Sequence, residues 1–376
     1  MPLNDASSPV LLYEHTTRNE MVVAEVRLHA EATLNSLSLE MIGILAGALA
    51  RWAVRDEVVA LLITSAGERA FCAGGDIQAL YYAMLNNHQT GETVDEYPYQ
   101  FFESEYRLNY QLHTYPKPVV AIGHGIVMGG GLGIFSAAGH RIVTERSRIA
   151  MPEITIGLFP DAGASWLLRN MALPWATFLG LTGSHMNASD ALLVGIGTHS
   201  VAAADREAIR DKMVSIEWRG ELDHDRSALD ELFENLVCME LPPTQLDVVP
   251  DTVDVAGSLV DVGGRIEALQ GLSDWIDRGI AAMQRGCPTS IGIVVEQLRR
   301  TGSMSLAETF RMEMTIATHC LENSDFLEGV RALIIEKDNR PHWQFDELAN
   351  LPLSYVQSHF NEPWPRNPLH DLEKKR

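Results

Sequence analysis

Apolar and polar positions change period along this chain, and the changes mark out its elements. Residues 10–13 (VLLY) and 21–28 (MVVAEVRL) are short apolar runs separated by the polar Arg18-Asn19, which predicts two strands and a turn. From residue 38 to 51 the period becomes helical: Met41, Ile42, Leu45 and Leu49 share a face, and Ser38 stands where an N-cap would. Residues 58–64 (VVALLIT) and 119–122 (VVAI) are continuous apolar runs of strand length, as expected of strands buried on both sides. Each leads through glycines, FCAGGD in one case and HGIVMGGGLG in the other, into a helical segment. Between them, residues 97–114 place aromatics at helical spacing and stop before Pro116 and Pro118. Strand, glycine turn and helix in repetition predict an α/β layered fold.

Past residue 200 the pattern changes. Charged and apolar residues interleave at helical period through Ile209, Met213, Leu229, Leu232 and Leu236. Residues 241–251, with Pro242, Pro243 and Pro250, predict a linker, and residues 276–299, 305–321 and 326–335 predict further helices. The tail, interrupted by Pro341, Pro352, Pro363, Pro365 and Pro368, predicts a loop wrapped on the surface. The expected organisation is an α/β core over residues 1–200 and a mainly helical region over 201–376.

Charge alters this picture only by exclusion. Fifty acidic against 29 basic residues leave a formal charge of −21, which argues against a nucleic-acid surface or an anionic membrane as partner. An anionic small ligand would need local donors. The four cysteines, Cys72, Cys238, Cys287 and Cys320, stand far apart and form neither a zinc pattern nor a disulfide framework, so a reducing compartment is expected. The opening MPLNDASSP has no basic segment followed by an apolar one, and no apolar run reaches about 18 residues. A cytoplasmic location, with no metal, is the expectation; homo-oligomerisation is left open.

The chemistry concentrates between residues 119 and 165. Gly129-Gly130-Gly131 lack the Lys of a phosphate-binding loop, and Gly123-His124-Gly125 meets Met128 where a dinucleotide fingerprint needs glycine. What remains is a turn with exposed N–H groups or a close helix–strand packing. FCAGGD, with Gly74 and Gly75, is a second such turn, and two convergent donors are what an oxyanion hole needs. Glu153 lies in the apolar run AMPEITIGLF, where a raised pKa would suit acid–base work; alternatively it sits at a strand edge facing water. Asp161 precedes AGASWLLRNM and is a natural helix cap. Glu103 and Glu105 read as a solvated helix face. Among 13 histidines, His124, His140 and His185 lie near this stretch but have no metal-site spacing, and no serine sits in GxSxG.

Taken together, FCAGGDI, HGIVMGGGLG and MPEITIGLFPDAGAS resemble the crotonase (enoyl-CoA hydratase/isomerase) superfamily, and CPTSIGIVVEQL, FRMEM and DFLEGVRALIIEKDNRPHW resemble its 3-hydroxyisobutyryl-CoA hydrolase family. The likeness spans most of the chain and is weakest over residues 201–285. It implies a spiral of ββα units with a helical C-terminal portion, an acyl-CoA substrate and no separate cofactor. It further implies an oxyanion hole from the N–H groups of Gly75 and Gly130, with Gly74, Gly129 and Gly131 lining the substrate. Glu153 matches the acidic residue the superfamily reuses, Asp161 the aspartate of GLFPD, and Glu105 a glutamate that contacts substrate. Hydratases of this kind carry a second glutamate shortly after the glycine triplet, where this chain has Gly133, and glycine in place of Asp161. The resemblance therefore implies thioester hydrolysis, with a hydratase or isomerase, or a catalytically silent acyl-CoA binder, as rivals. Two departures stand out: Leu28-His29-Ala30 replaces Asn-Arg-Pro, and AGAS follows Asp161 where hydrolases have a glycine pair.

Overall fold

In the computed structural model of the chain, which describes residues 1–373, the expected N-terminal hairpin forms from β1 (Val10–Thr16) and β2 (Val22–Leu28), paired antiparallel. Helix α1 (Leu39–Ala53) starts at the predicted cap, where the Ser38 hydroxyl accepts the Met41 N–H at 3.2 Å. Then come β3 (Val58–Ser65), β4 (Ala70–Cys72), α2 (Ile77–Thr90) and α3 (Tyr97–His113). A second round follows with β5 (Val119–Gly123), β6 (Ile126–Met128) and α4 (Gly130–Ser136), and then β7 (His140–Val143) and β8 (Arg148–Ala150). The last strand is β9 (His199–Ser200).

The first strand of each pair from β3 onward enters a six-stranded sheet of order β1-β2-β3-β5-β7-β9, and the second enters a three-stranded sheet, β4-β6-β8. Beyond the β1–β2 hairpin the large sheet is parallel. This is the repeated strand–strand–helix organisation that the family resemblance implies. The short β4, β6 and β8 are additions that the apolar pattern did not separate from the turns.

By compactness the chain forms two units with interleaved segments: residues 1–75, 108–149 and 186–244, and residues 76–107, 150–185 and 245–376. In the first unit, β3 and β5 are apolar without alternation because both of their faces are covered. Val23, Val59, Leu62, Val120, Ile122 and Ile142 of the sheet pack with Ile209, Met213, Trp218, Leu229 and Phe233. Each such buried side chain contributes about 1.5–3 kcal/mol, so the helical stretch after residue 202 is bound to the sheet by its apolar stripe. Leu232 and Leu236 are only partly buried at its margin.

The second unit is helical. The single helix expected over 276–299 is two, Asp274–Arg285 and Pro288–Arg300. Gly286 and Cys287 are extended between them: a residue before proline is pushed out of the helical region, while Pro288 itself suits a first helical turn. The helix expected over 305–321 forms as Leu306–Glu322, with Ser305 and Glu308 in a capping box. The segment expected as a helix over 326–335 is α-helical at Ser324–Val330 and continues as a π-helical turn, Arg331–Ile335. The tail is not merely a surface loop. It contains a helix, Leu353–Ser358, buries Val356 and Leu369 completely, and donates from Asn367 Nδ2 to the Arg311 carbonyl at 3.1 Å. No helix among the described residues is long and apolar enough to cross a membrane.

Candidate active site

The two glycine turns belong to the first unit and pack against each other. Gly74 has φ +115°, and a Cβ there would stand 3.6 Å from the Met128 carbonyl oxygen and 3.8 Å from the Gly129 Cα. Gly129, at φ +49°, turns the chain from β6 into α4. A Cβ on Gly131 would lie 2.4 Å from the Cys72 carbonyl oxygen, so β4 and α4 approach this closely only with glycine there. Helix α4 begins at Gly130, whose N–H belongs to the first turn and has no acceptor within the helix. Gly74 and Gly129 of the two turns are thus brought together, and Gly131 seats α4 against Cys72, at a helix start whose dipole favours negative charge; Gly75 and Gly130 are their chain neighbours. Gly133 is buried within α4 and offers no side chain.

The carboxylates belong to the second unit. Glu153 is not at a strand edge facing water: it opens a 3-10 turn, Glu153–Ile156, and is 5% exposed, with its Oε2 lacking any partner. Gly157, at φ +75°, closes that turn. Glu105 is likewise buried, and its Oε1 has no partner. The expectation of a solvated face failed because Glu105 stands four residues after Phe101 and three after Phe102, on the buried aromatic side of α3. Glu103, on the outer side, pairs with Arg107 at 2.9 Å.

Asp161 does not cap a helix. Its Oδ2 accepts the Tyr106 hydroxyl at 2.7 Å, while the helix Ala164–Leu168 starts after Gly163, which has no capping side chain. Around that helix start the Ala164 N–H donates to the Asp161 backbone carbonyl at 2.9 Å, and the N–H groups on either side go to Glu313: Gly163 N donates to Oε2 at 2.8 Å and Ser165 N to Oε1 at 2.9 Å. The intervening backbone is left-handed at Ala162 (φ +56°) and Gly163 (φ +92°). For the alanine this costs roughly 1–2 kcal/mol, which the surrounding contacts must offset.

Four buried carboxyl groups close enough to feel one another's charge cannot all ionise near neutrality. Burial, then the charges of Asp161, Glu313 and Glu153, raises Glu105 well above the carboxylate range. Burial and then the Asp161 charge do the same to Glu153. Burial pushes Glu313 up to about 8 against the two N–H bonds from Gly163 and Ser165. Asp161 is raised by burial only to about 6, because the Tyr106 hydroxyl and its own backbone N–H favour its charged form. Tyr106 is correspondingly driven up by burial and by the Asp161 charge. Asp161 is thus the carboxyl least displaced from its charged form, and Glu105, Glu153 and Glu313 are pushed further toward the protonated one.

Tyr106 and Glu313 escaped the sequence reading. Tyr106 adjoins Glu105 in ESEYRLN, and Glu313 stands between Met312 and Met314, two residues after Arg311. An acidic residue flanked by apolar ones within a helix was the available signal. Among the described residues, no group of three or more His, Cys, Asp or Glu side chains is arranged to hold a metal ion.

The family model for enoyl-CoA hydratase/isomerase matches residues 23–360. Among curated proteins, the chicken (Gallus gallus) mitochondrial 3-hydroxyisobutyryl-CoA hydrolase is 32% identical, over 92% of this chain and 87% of its own. The human (Homo sapiens) counterpart is 31% identical over 92% and 90%. Among solved structures, a carnitinyl-CoA dehydratase from Mycobacterium thermoresistibile superposes with a TM-score of 0.81 at 27% identity, covering 97% of this chain and 99% of its own. An enoyl-CoA hydratase from Rhodobacter sphaeroides 2.4.1 gives 0.78 at 30% identity, covering 94% and 97%.

Proposed function

The chain belongs to the enoyl-CoA hydratase/isomerase (crotonase) family, and from that premise we propose that it is an acyl-CoA thioester hydrolase whose substrate is 3-hydroxyisobutyryl-CoA. The observation that carries the reading is the pair of buried carboxyl groups, Asp161 accepting the Tyr106 hydroxyl at 2.7 Å and Glu153 with an oxygen left unpartnered, both shifted upward by burial, Asp161 to about 6 and Glu153 well above its ordinary range. Ligand binding needs neither an acid nor a base, so a silent binder gains nothing from the cost of burying them. A hydratase would add water with a second glutamate after the glycine triplet, and Gly133 has no side chain to act. The curated relatives, named as 3-hydroxyisobutyryl-CoA hydrolases, support the same substrate.

Hydrolysis needs donors for the charge that develops on the thioester oxygen and groups that move a proton. The N–H groups of Gly75 and Gly130 serve as the donors, strongest where the charge is greatest, in the tetrahedral intermediate. The Asp161 carboxylate takes a proton from the attacking water as its oxygen bonds to the carbonyl carbon. Collapse of the intermediate breaks the carbon–sulfur bond, and the departing CoA thiolate takes the proton held by Glu153. Return of a proton from Asp161 to Glu153 restores the starting state. The acid is released, and the cycle uses only water and groups of this chain. Glu105, buried with one oxygen unpartnered, is assigned to the substrate's hydroxyl.

The test is a panel of acyl-CoA thioesters followed both by free-thiol release and by loss of enoyl absorbance. Thiol release, fastest with 3-hydroxyisobutyryl-CoA, is expected. Loss of enoyl absorbance without thiol would replace the proposal with a hydratase, and no turnover with any thioester would leave a binder.

A further inference from the structure

The loop that carries Asp161 is held by side chains that the proposed chemistry does not use. Gln297 Nε2 donates to the Pro160 carbonyl at 3.0 Å and to the Ser165 hydroxyl at 2.7 Å, bracketing the loop at both ends. Glu313 takes the N–H groups of Gly163 and Ser165, one on each oxygen. Its side chain is fully buried, and burying a carboxyl group is unfavourable unless it satisfies something that would otherwise go unpaired. What it satisfies is a helix start. The ordinary solution is a polar side chain at the cap, but Gly163 has none, and Asp161, two residues earlier, is turned toward Tyr106 instead. An acid on a helix some 150 residues away in sequence caps with its side chain, and the Asp161 side chain is released from that task while its backbone carbonyl takes the Ala164 N–H. The left-handed backbone at Ala162 and Gly163 is the bend that this division of labour requires.

We propose that Glu313 is a positioning residue for thioester hydrolysis: by binding the Gly163 and Ser165 N–H groups it fixes the 160–165 loop and leaves the Asp161 carboxylate available to take the water's proton. The inference rests on the role given to Asp161 above, and a double-mutant cycle separates the two. Glu313→Gln is nearly isosteric, but its amide can accept only one of the two N–H groups and sets a donor against the other. Its kcat should fall by about 10- to 100-fold with KM within about threefold, the pattern of an interaction felt in the transition state and not in substrate binding. Glu313→Asp keeps both acceptors and draws them back by one methylene, and its kcat should fall between wild type and Gln, which covers the case in which the Gln variant does not fold. In the Asp161→Asn background, Glu313→Gln should cost less than about threefold more, since a residue that acts through Asp161 has nothing left to position. Circular dichroism accompanies each assay. A Gln variant with wild-type kcat, a fall carried by KM, or a full multiplicative loss in the double variant would overturn the inference while leaving Asp161 its role. Wild-type turnover in Asp161→Asn alone would remove both.

Discussion

Replacing Asp161 with Asn should make the protein more stable and far less active, and the size of both effects follows from the site. The side chain keeps its shape, so packing is unchanged, but the charge is gone. Burial raises the Asp161 carboxyl from its ordinary 3.8 to about 6, so the folded protein prefers the protonated form. The consequence for stability has a definite sign. At pH values below the ordinary 3.8 the group is protonated in both states and no penalty exists. As pH rises toward 6 the unfolded chain ionises first and is favoured, and above that the full penalty persists. A rise from 3.8 to about 6, at 1.36 kcal/mol per unit, makes that penalty about 3 kcal/mol at neutral pH. Asparagine, which stands in for the neutral carboxyl, escapes it; the preference of the Tyr106 bond for the charged form is already contained in the value near 6. The variant should therefore gain about 3 kcal/mol at pH 7, and the gain should vanish below about pH 4. Urea unfolding across this range measures it. Thiol release should meanwhile drop by at least about a hundredfold, the scale for losing a catalytic base. A variant less stable than wild type at neutral pH would refute the burial argument, and one with wild-type turnover would take Asp161 out of the chemistry.

Glu153→Gln cannot deliver a proton to the departing thiolate, and thiol release should fall by at least about a hundredfold in a folded protein. Tyr106→Phe removes a bond that lowers the Asp161 pKa, so the acid limb of the kcat/KM profile should move to higher pH than the value near 6; an unmoved limb would detach it from Asp161. Gly131→Ala places a Cβ 2.4 Å from the Cys72 carbonyl oxygen and must push the two glycine turns apart; turnover should fall at least about tenfold while circular dichroism is retained. Gly157→Ala combines a φ of +75° with a Cβ 2.3 Å from the Asp325 carbonyl oxygen, and thermal unfolding should report a loss of roughly 2–4 kcal/mol.

How much of this was legible in the sequence depends on how far away each residue's environment is made. The apolar runs around residues 58–64 and 119–122 announced β3 and β5 because a strand covered on both faces needs no partner's identity to be recognised. Ser38 announced the start of α1 because a cap acts on N–H groups two or three residues away. The glycine turns were legible for the same local reason. Glu105 was misplaced although its own helix contains the needed pattern; the spacing from Phe101 and Phe102 identifies the buried side only if one accepts a carboxyl there. The break at Gly286-Cys287 was missed because a proline in a first helical turn and one that ends a helix look alike until the preceding residue's conformation is known. Asp161 is the instructive failure. The local rule made its side chain a cap, and the rule was half right: the Ala164 N–H donates to the Asp161 backbone carbonyl, but the side-chain acceptor for the Gly163 and Ser165 N–H groups is another acid. That acid is Glu313, brought in from another helix by the fold. A chain that needed only a stable helix could have used the acid already next to it. Burying a second one for the task makes sense where the first is wanted for something else, and a local rule set aside at such a cost is itself a sign of a working site.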